Sequence, residues 1–156
     1  DRHISQVVAV GTSLLLAGES GTLARSDDGG ATWVALTSPY QGSFFGALAV
    51  KDGSVLVFGM RGNVYRTLDL GATWQKVETG TTVSFMSGQQ LADGRVMLVG
   101  NSGLIAESAD GGQSFVLHTA KPGKGFAALV ENPGGGILFA GESGITPLDP
   151  AWLKGQ

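Results

Sequence analysis

A pair of glycines recurs four times along this chain at a constant spacing of 41 residues, and this repeat limits the fold more than any other feature. The two glycines of a pair lie three residues apart, and an apolar run of four residues precedes each pair. A short apolar run between turn residues is typical of a strand that is buried on both faces. The pairs are Gly18 and Gly21, Gly59 and Gly62, Gly100 and Gly103, and Gly141 and Gly144. Four copies at one period predict a repeat architecture in which each copy is one structural unit.

Each repeat divides into four short strands separated by turn residues, and no segment shows the apolar stripe of an amphipathic helix. Four strands in about 40–45 residues is the size of one blade of a β-propeller. We therefore predict an all-β fold, namely a β-propeller of four-stranded antiparallel blades, with about four blades in this chain. Residues 1–156 are predicted to form a single domain with repeat units at 4–42, 43–81, 82–123 and 124–156, the last of them incomplete.

The composition excludes several classes of protein. Charged residues make up 15% of the chain and hydrophobic residues 42%, which is not the composition of a disordered protein. The formal net charge of −3 provides no basic surface for a nucleic acid, so no nucleic-acid partner is predicted. The absence of cysteine excludes disulfides, thiolate catalysis and cysteine-ligated zinc, and we predict no cofactor. No apolar run approaches the roughly 18 residues of a transmembrane segment.

A second motif, [S/T]-x-D-x-G-x-[T/S]-[W/F], lies between the third and fourth strands of the first three repeats, at 26–33, 67–74 and 108–115. We call these segments the aspartate turns. Their carboxylates are predicted to accept hydrogen bonds from backbone N–H groups that a hairpin turn leaves unpaired. Their glycines are predicted to adopt a positive φ angle, and their aromatic rings to be buried between neighbouring blades. The residues with these structural roles are Ser26, Asp28, Gly30 and Trp33; Thr67, Asp69, Gly71 and Trp74; and Ser108, Asp110, Gly112 and Phe115.

Calcium binding is the competing interpretation of the aspartate turns. Calcium takes about six to eight oxygen ligands, which come from loops that are dense in carboxylates. In the second turn a single aspartate, Asp69, stands between Leu68 and Leu70, so the turn does not provide that ligand set. The sequence therefore favours a structural role for the aspartates and predicts no metal site.

The motif and its regular recurrence resemble the Asp-box, or BNR, repeat of β-propeller proteins such as sialidases and sortilin-type receptors. The run from Gly18 to Trp33, which recurs from Gly59 to Trp74, is most similar to the photosystem II stability and assembly factor family and its bacterial relatives. The resemblance extends over nearly the whole chain. It implies that the aspartate turns are scaffold and that the protein binds a protein partner without catalysing a reaction. It also implies a periplasmic or otherwise exported protein.

The alternative function is that of a glycan-binding or sialidase-like glycoside hydrolase propeller. By resemblance to sialidases, such an activity would require three arginines that jointly bind the carboxylate of the substrate. Arg25 and Arg66 occupy the same position in two repeats, and the arrangement of the five arginines gives no sign of a triad. Without a triad nothing is preorganised to stabilise the charge of the transition state, so we predict no catalytic residue and no enzymatic activity.

In an antiparallel blade, the turns between strands two and three share one rim of the propeller with the segments that link successive blades. We call this the glycine rim, and we call the opposite side, with the aspartate turns, the aspartate rim. Arginine and aromatic residues are enriched in protein interfaces. The candidate partner-binding residues of the glycine rim are Glu19, Tyr40, Arg61, Asn101, His118, Lys124 and Glu142.

The fourth repeat lacks an aspartate turn, because Asp149-Pro150-Ala151 stands where the motif is expected. Proline has no N–H to donate, so the two prolines at 147 and 150 end strand pairing there. We predict three complete blades and three strands of a fourth, and we expect the chain to be part of a larger propeller. Open strand edges attract partners, so a homodimer through these edges is a further expectation.

Overall fold

The computed structural model describes residues 2–155, and the apolar runs that precede the glycine pairs form the second strands of four antiparallel sheets. The first sheet contains β1 (Ile4–Val10), β2 (Ser13–Gly18), β3 (Leu23–Ser26) and β4 (Val34–Ala35). The second contains β5 (Phe44–Ala49), β6 (Val55–Gly59), β7 (Val64–Thr67) and β8 (Gln75–Val77). The third contains β9 (Phe85–Gln90), β10 (Val96–Gly100), β11 (Leu104–Ser108) and β12 (Val116–Thr119). The fourth contains β13 (Phe126–Glu131), β14 (Ile137–Gly141) and β15 (Gly144–Pro147).

Within each sheet the strands are hydrogen-bonded in the order in which they follow along the chain. The first strands of consecutive sheets contact one another, β1 with β5, β5 with β9 and β9 with β13, so the sheets are arranged as successive blades. This confirms the predicted all-β propeller with about four blades, three of them complete and the fourth with three strands. No helix within residues 2–155 is long and apolar enough to cross a membrane.

Short 3-10 turns occupy the glycine rim between the second and third strands of the first three blades. They comprise Glu19–Gly21, Met60–Gly62 and Asn101–Gly103, and a fourth 3-10 segment, Pro150–Leu153, follows β15. Because neighbouring strands of a meander run in opposite directions, these turns lie on the same side as the segments that link blades. The aspartate turns lie on the other side.

Three apolar clusters form the core, one between each pair of consecutive blades. The cluster between blades one and two includes Leu15, Phe44 and Tyr65, and the cluster between blades two and three includes Leu56, Phe58 and Leu98. The third cluster lies between blades three and four and includes Met97 and Phe139. The second strands of blades two and three, β6 and β10, therefore have side chains in two different clusters, which explains why these two runs are apolar at every position.

In the aspartate turns, the carboxylate of each aspartate closes a small ring of hydrogen bonds. The Asp69 carboxylate accepts hydrogen bonds from the Thr67 hydroxyl at 2.8 Å, the Thr73 N–H at 2.8 Å and the Thr73 hydroxyl at 2.6 Å. The Thr67 hydroxyl oxygen in turn accepts the N–H of Gly71 at 2.9 Å. The same set of bonds forms around the equivalent aspartates of blades one and three, which are Asp28 and Asp110.

These hydrogen bonds favour the ionised carboxylates. The side-chain and backbone donors of Thr32 and Thr73 lower the pKa of Asp28 and Asp69 to about 2. Burial raises the pKa of Asp110, but hydrogen bonds from Ser114 and Ser108 outweigh it and lower this pKa to about 2 as well. Every oxygen of the three carboxylates is engaged with its own turn, which is the arrangement of a structural element.

The expectation that all three aromatic rings of the aspartate turns are buried between blades is wrong for Trp33. Trp74 and Phe115 pack, partly buried, against the cluster shared with the preceding blade. Trp33 faces away from blade two and is 38% exposed, because no blade among residues 2–155 packs on that side of blade one. The burial of this ring is therefore decided by the neighbouring sheet rather than by the motif.

Candidate binding surface

The 3-10 turns of the glycine rim are held rigidly in place. In the second blade, Arg61 has a φ angle of 57°, and its backbone N–H donates to the hydroxyl of Ser84, just before β9, at 3.1 Å. Gly62 has a φ angle of 71°, and a Cβ atom added there would collide with the carbonyl oxygen of Thr81. A residue other than glycine does not fit at this position, and the same collision with a backbone carbonyl explains the second glycine in blades one and three, Gly21 and Gly103.

Several candidate rim residues project from this frame into solvent. Arg61, Asn101, Lys124 and Glu142 are exposed, and within residues 2–155 their side chains make no hydrogen bond or ion pair. Arg61 and Asn101 lie in equivalent turns of blades two and three, and Glu142 lies in the corresponding turn of blade four. The rim thus presents polar side chains at successive positions on a backbone that is already ordered.

Glu19 belongs to the same series, but its carboxylate is engaged locally. It accepts the backbone N–H of His3 at 3.2 Å and lies 3.1 Å from the Nδ1 atom of the same histidine. These hydrogen bonds from His3 lower the pKa of Glu19. Glu19 therefore holds the chain before β1 on the rim.

Tyr40 differs from the sequence expectation, since its ring is not an exposed part of the rim. It is partly buried in the cluster between blades one and two, with its ring centroid 6.1 Å from that of Phe44 and 6.2 Å from that of Tyr65. The blade-linking segment that carries Tyr40 turns this ring inward, because only there does it find other aromatic surface to cover.

His118 also differs from the expectation, because it lies on β12 and not in a blade-linking segment. Its side chain is only 9% exposed, and its Nε2 atom is 2.9 Å from a carboxylate oxygen of Glu107 on β11. The other carboxylate oxygen of Glu107 is paired with Arg95, whose Nε–H donates to Asp93 at 2.8 Å. Hydrogen bonds from Arg95 lower the pKa of Asp93. A chain of four charged or titratable groups thus runs from the surface to His118.

The network from Asp93 to His118 was not predicted from the sequence, although the repeat contains a signal for it. Arg66 of blade two is buried and pairs with Asp52, whereas the equivalent position in blade three is Glu107. Arg95 in turn stands at the position of Ser54. The arginine that pairs with the turn aspartate shared by both repeats (Asp52 or Asp93) therefore comes from a different position in the two blades, and comparison of the repeats position by position reveals the change.

The arginines do not converge on one site. Arg25 pairs with Asp27, Arg66 with Asp52, and Arg95 with Asp93 and Glu107, each within its own blade. Within residues 2–155 no group of three or more histidine, aspartate or glutamate side chains is arranged to hold a metal ion.

A cleft of about 990 Å³ lies along β12 at the outer edge of blade three. Its walls are the segment 80–83, which leads into β9, and the segment 149–155, which follows β15. His118, Lys121 and Lys154 are among its lining residues. The repeat carries no signal for this cleft, because it forms where the fourth blade lacks an aspartate turn.

Solved structures share this fold at low sequence identity. A structure of YCF48 bound to a D1 peptide superimposes with a TM-score of 0.72 and 21% identity, over 97% of this chain and 50% of that chain. YCF48 from Cyanidioschyzon merolae gives a TM-score of 0.68 and 17% identity, over 94% of this chain and 53% of that chain. Virginiamycin B lyase from Staphylococcus aureus gives a TM-score of 0.76 and 13% identity, over 94% of this chain and 55% of that chain.

These likenesses show a β-propeller fold and nothing finer. The chain spans about half the length of the YCF48 structures. No protein-family model and no curated protein sequence matches it. Since the same fold occurs in a lyase and in YCF48, the function has to be argued from the side chains of this chain.

Proposed function

We propose that this chain is a non-catalytic protein-binding scaffold, similar in role to the photosystem II assembly factor-like propellers and built on Asp-box repeats. The observation that carries the proposal is the glycine rim, where Arg61, Asn101, Lys124 and Glu142 have no partner within residues 2–155 while the backbone beneath them is fixed. A preordered surface loses little conformational entropy when it binds. The likeness to a YCF48 structure that holds a D1 peptide supports a peptide or protein as the ligand.

The arginine geometry favours this proposal over the glycan-binding or sialidase-like alternative. Three of the arginines are paired with carboxylates in three different blades, so they are not free to hold one substrate carboxylate. A binding scaffold needs no such convergence.

Calorimetric titration of the chain with the D1 peptide tests the proposal directly. Binding is expected, and the combined replacement Arg61→Ala, Asn101→Ala, Lys124→Ala and Glu142→Ala is expected to abolish it. Lys51→Ala with Gln113→Ala, two exposed positions on the aspartate rim, is the matched control and is expected to bind normally. Photocrosslinking from position 61 to cellular proteins provides a second readout when the D1 peptide is not the partner. Turnover of a fluorogenic sialoside, or equal crosslinking from both rims, contradicts the proposal.

A homodimer through the open edges of the end blades is a second part of the proposal. Val7 and Trp33 on blade one, and Val130 and Ile145 on blade four, are large exposed apolar side chains. Such surface favours association when it is contiguous. Size-exclusion chromatography with light scattering is expected to report twice the chain mass, and a monomer at all concentrations contradicts the dimer.

Export from the cytoplasm is the last part of the proposal and rests on the resemblance to the exported members of the family. Fractionation of cells that express the natural gene, with antibody detection, is expected to place the protein outside the cytoplasm. Recovery in the cytoplasmic fraction alone contradicts export.

A further inference from the structure

The outer edge of blade three offers an unpaired strand. β12 (Val116–Thr119) pairs with β11 on one side, and within residues 2–155 no strand pairs with its other side. The segment 149–155 lies beside β12 but makes no backbone hydrogen bond to it. Backbone groups on an open strand edge are free to pair with an extended segment of another chain.

The cleft has room for such a segment. Its volume of about 990 Å³ lies at the upper end of the range of ligand pockets, about 300–1,000 Å³. The cleft follows β12. One of its walls lies on the side of blade two, at Thr81, and the other is formed by Trp152 in the segment that covers blade four. An extended peptide that lies against β12 is therefore enclosed on both faces.

The charges of the cleft favour a negatively charged occupant. Lys121, just after β12, and Lys154, in the segment 149–155, both line it. The carboxylate of Asp149, which also lines the cleft, accepts the backbone N–H of Ala151 at 2.9 Å. The basic side chains thus outnumber the acidic one, although the whole chain has a formal net charge of −3.

His118 is a polar side chain that the blade architecture does not require. Its equivalents in the other blades are Leu36 and Val77, both of which pack against apolar clusters. Its imidazole is more than nine-tenths buried and lines the cleft, with Nε2 beside Glu107. Nε2 is buried and makes no hydrogen bond of good geometry within residues 2–155, although it lies 2.9 Å from Glu107.

We infer that this cleft binds an extended acidic peptide segment of a partner protein, added as a strand to β12, with its carboxylates opposite Lys121 and Lys154. The inference rests on the proposed protein-binding function and names a second contact site for it, which adjoins the glycine rim at Asn101. Backbone pairing with β12 supplies the register, and the basic side chains select the charge.

The probe is acetyl-(Val-Glu)3-amide, a short peptide with strand-forming and acidic residues in alternation, added to the full isotope-labelled chain and followed by backbone NMR. Shift changes are expected at 116–121 and 149–155. Acetyl-(Val-Lys)3-amide and acetyl-(Val-Gln)3-amide test the charge, and a version of the acidic peptide with alternate backbone nitrogens methylated tests the strand pairing. All three are expected to bind at least about tenfold more weakly.

Two variants test the side chains. Lys121→Gln with Lys154→Gln is expected to weaken binding by about tenfold, whereas Lys51→Gln with Lys76→Gln, which changes the net charge equally on the surface of other blades, is expected to leave it unchanged.

The outcomes separate the two proposals. Unchanged shifts at 116–121, or equal binding of the acidic and neutral peptides, overturn the cleft inference and leave the glycine rim untouched. The triple variant Arg61→Ala, Lys124→Ala and Glu142→Ala leaves the cleft residue Asn101 in place. Peptide binding in the cleft together with normal binding of the D1 peptide by this triple variant supports the inference and overturns the role of the rim.

Discussion

Arg66 on β7 of blade two donates its Nε–H to the backbone carbonyl of Gly111 in blade three, with a nitrogen-to-oxygen distance of 3.1 Å. Its Nη2 atom lies 2.7 Å from the Asp52 carboxylate, and only 7% of the side chain is exposed. One guanidinium on β7 therefore joins the β5–β6 turn of its own blade to the aspartate turn of the next. A strong polar contact of this kind supplements the apolar packing between blades.

Replacement of Arg66 by methionine is expected to lower the free energy of unfolding by about 2 kcal/mol, because two charge-assisted hydrogen bonds are lost from a buried site. Arg25→Met is the matched control at the same position of blade one, where the arginine is more exposed and pairs only with Asp27. Its expected cost is below about 1 kcal/mol. Urea unfolding measures both, and equal losses contradict a role of Arg66 between blades.

The aspartate turns predict an acid-sensitive fold. The native pKa of Asp28, Asp69 and Asp110 is about 2, against an ordinary value of 3.8. As the pH falls, the unfolded chain binds protons at these carboxyls before the folded chain does. The stability that the carboxylates contribute to the fold is therefore complete well above pH 4 and declines as the pH falls from about 4 to about 2.

The combined change Asp28→Asn, Asp69→Asn and Asp110→Asn is expected to lower stability at pH 7 and to flatten the loss of stability between pH 4 and pH 2. Urea unfolding at a series of pH values measures this difference, which is expected to shrink towards pH 2. Glu142→Gln, at an exposed carboxylate without hydrogen bonds within residues 2–155, serves as the control and is expected to follow the wild type. An unchanged pH profile in the triple variant argues against the ionised turns.

Leu70 adopts a left-handed backbone conformation, with a φ angle of 55°, at the position where the other two aspartate turns have Gly29 and Gly111. A left-handed residue with a side chain costs about 1–2 kcal/mol. Leu70→Gly is therefore expected to raise the free energy of unfolding by up to about 1 kcal/mol, after the greater flexibility of glycine in the unfolded chain is subtracted.

Gly29→Ala is the reciprocal experiment. A Cβ atom at Gly29 meets nothing within 4 Å, so the expected loss of about 1 kcal/mol comes from the backbone conformation alone. Thermal unfolding of the two variants measures both effects. A stabilised Gly29→Ala protein, or a destabilised Leu70→Gly protein, contradicts the assignment of strain.

Trp33 and Trp74 occupy the same position of the repeat but different environments. Trp74→Ala is expected to cost about 2 kcal/mol, because its ring packs on the cluster between blades one and two. Trp33→Ala is expected to cost less than about 1 kcal/mol, because its ring is exposed. Urea unfolding followed by circular dichroism measures both, and a larger loss at Trp33 indicates that another surface covers it in solution.

The sequence by itself determined the type of fold, because a local pattern that recurs at a fixed period leaves few alternatives. The apolar run before each glycine pair specifies a strand buried on both faces, and Asp69 between two hydroxyl residues specifies its own hydrogen-bonded turn. Each of these features depends on contacts between residues that are close in the chain. The incomplete fourth blade followed from the same reasoning, through the absence of the motif near Asp149.

Only the tertiary structure decided which side chains remain available for binding. Tyr40 and His118 appear in the sequence as polar or amphipathic residues near turns, yet neither is free on the rim: Tyr40 packs on Tyr65 of the next blade, and His118 lies buried beside Glu107 of the neighbouring strand. Trp33 is exposed for the converse reason, since no blade packs against its side of blade one. Burial depends on which sheets become neighbours, and a one-dimensional pattern does not contain the distances between sheets. The cleft along β12 has the same origin, because its two walls meet only when blades two, three and four are assembled.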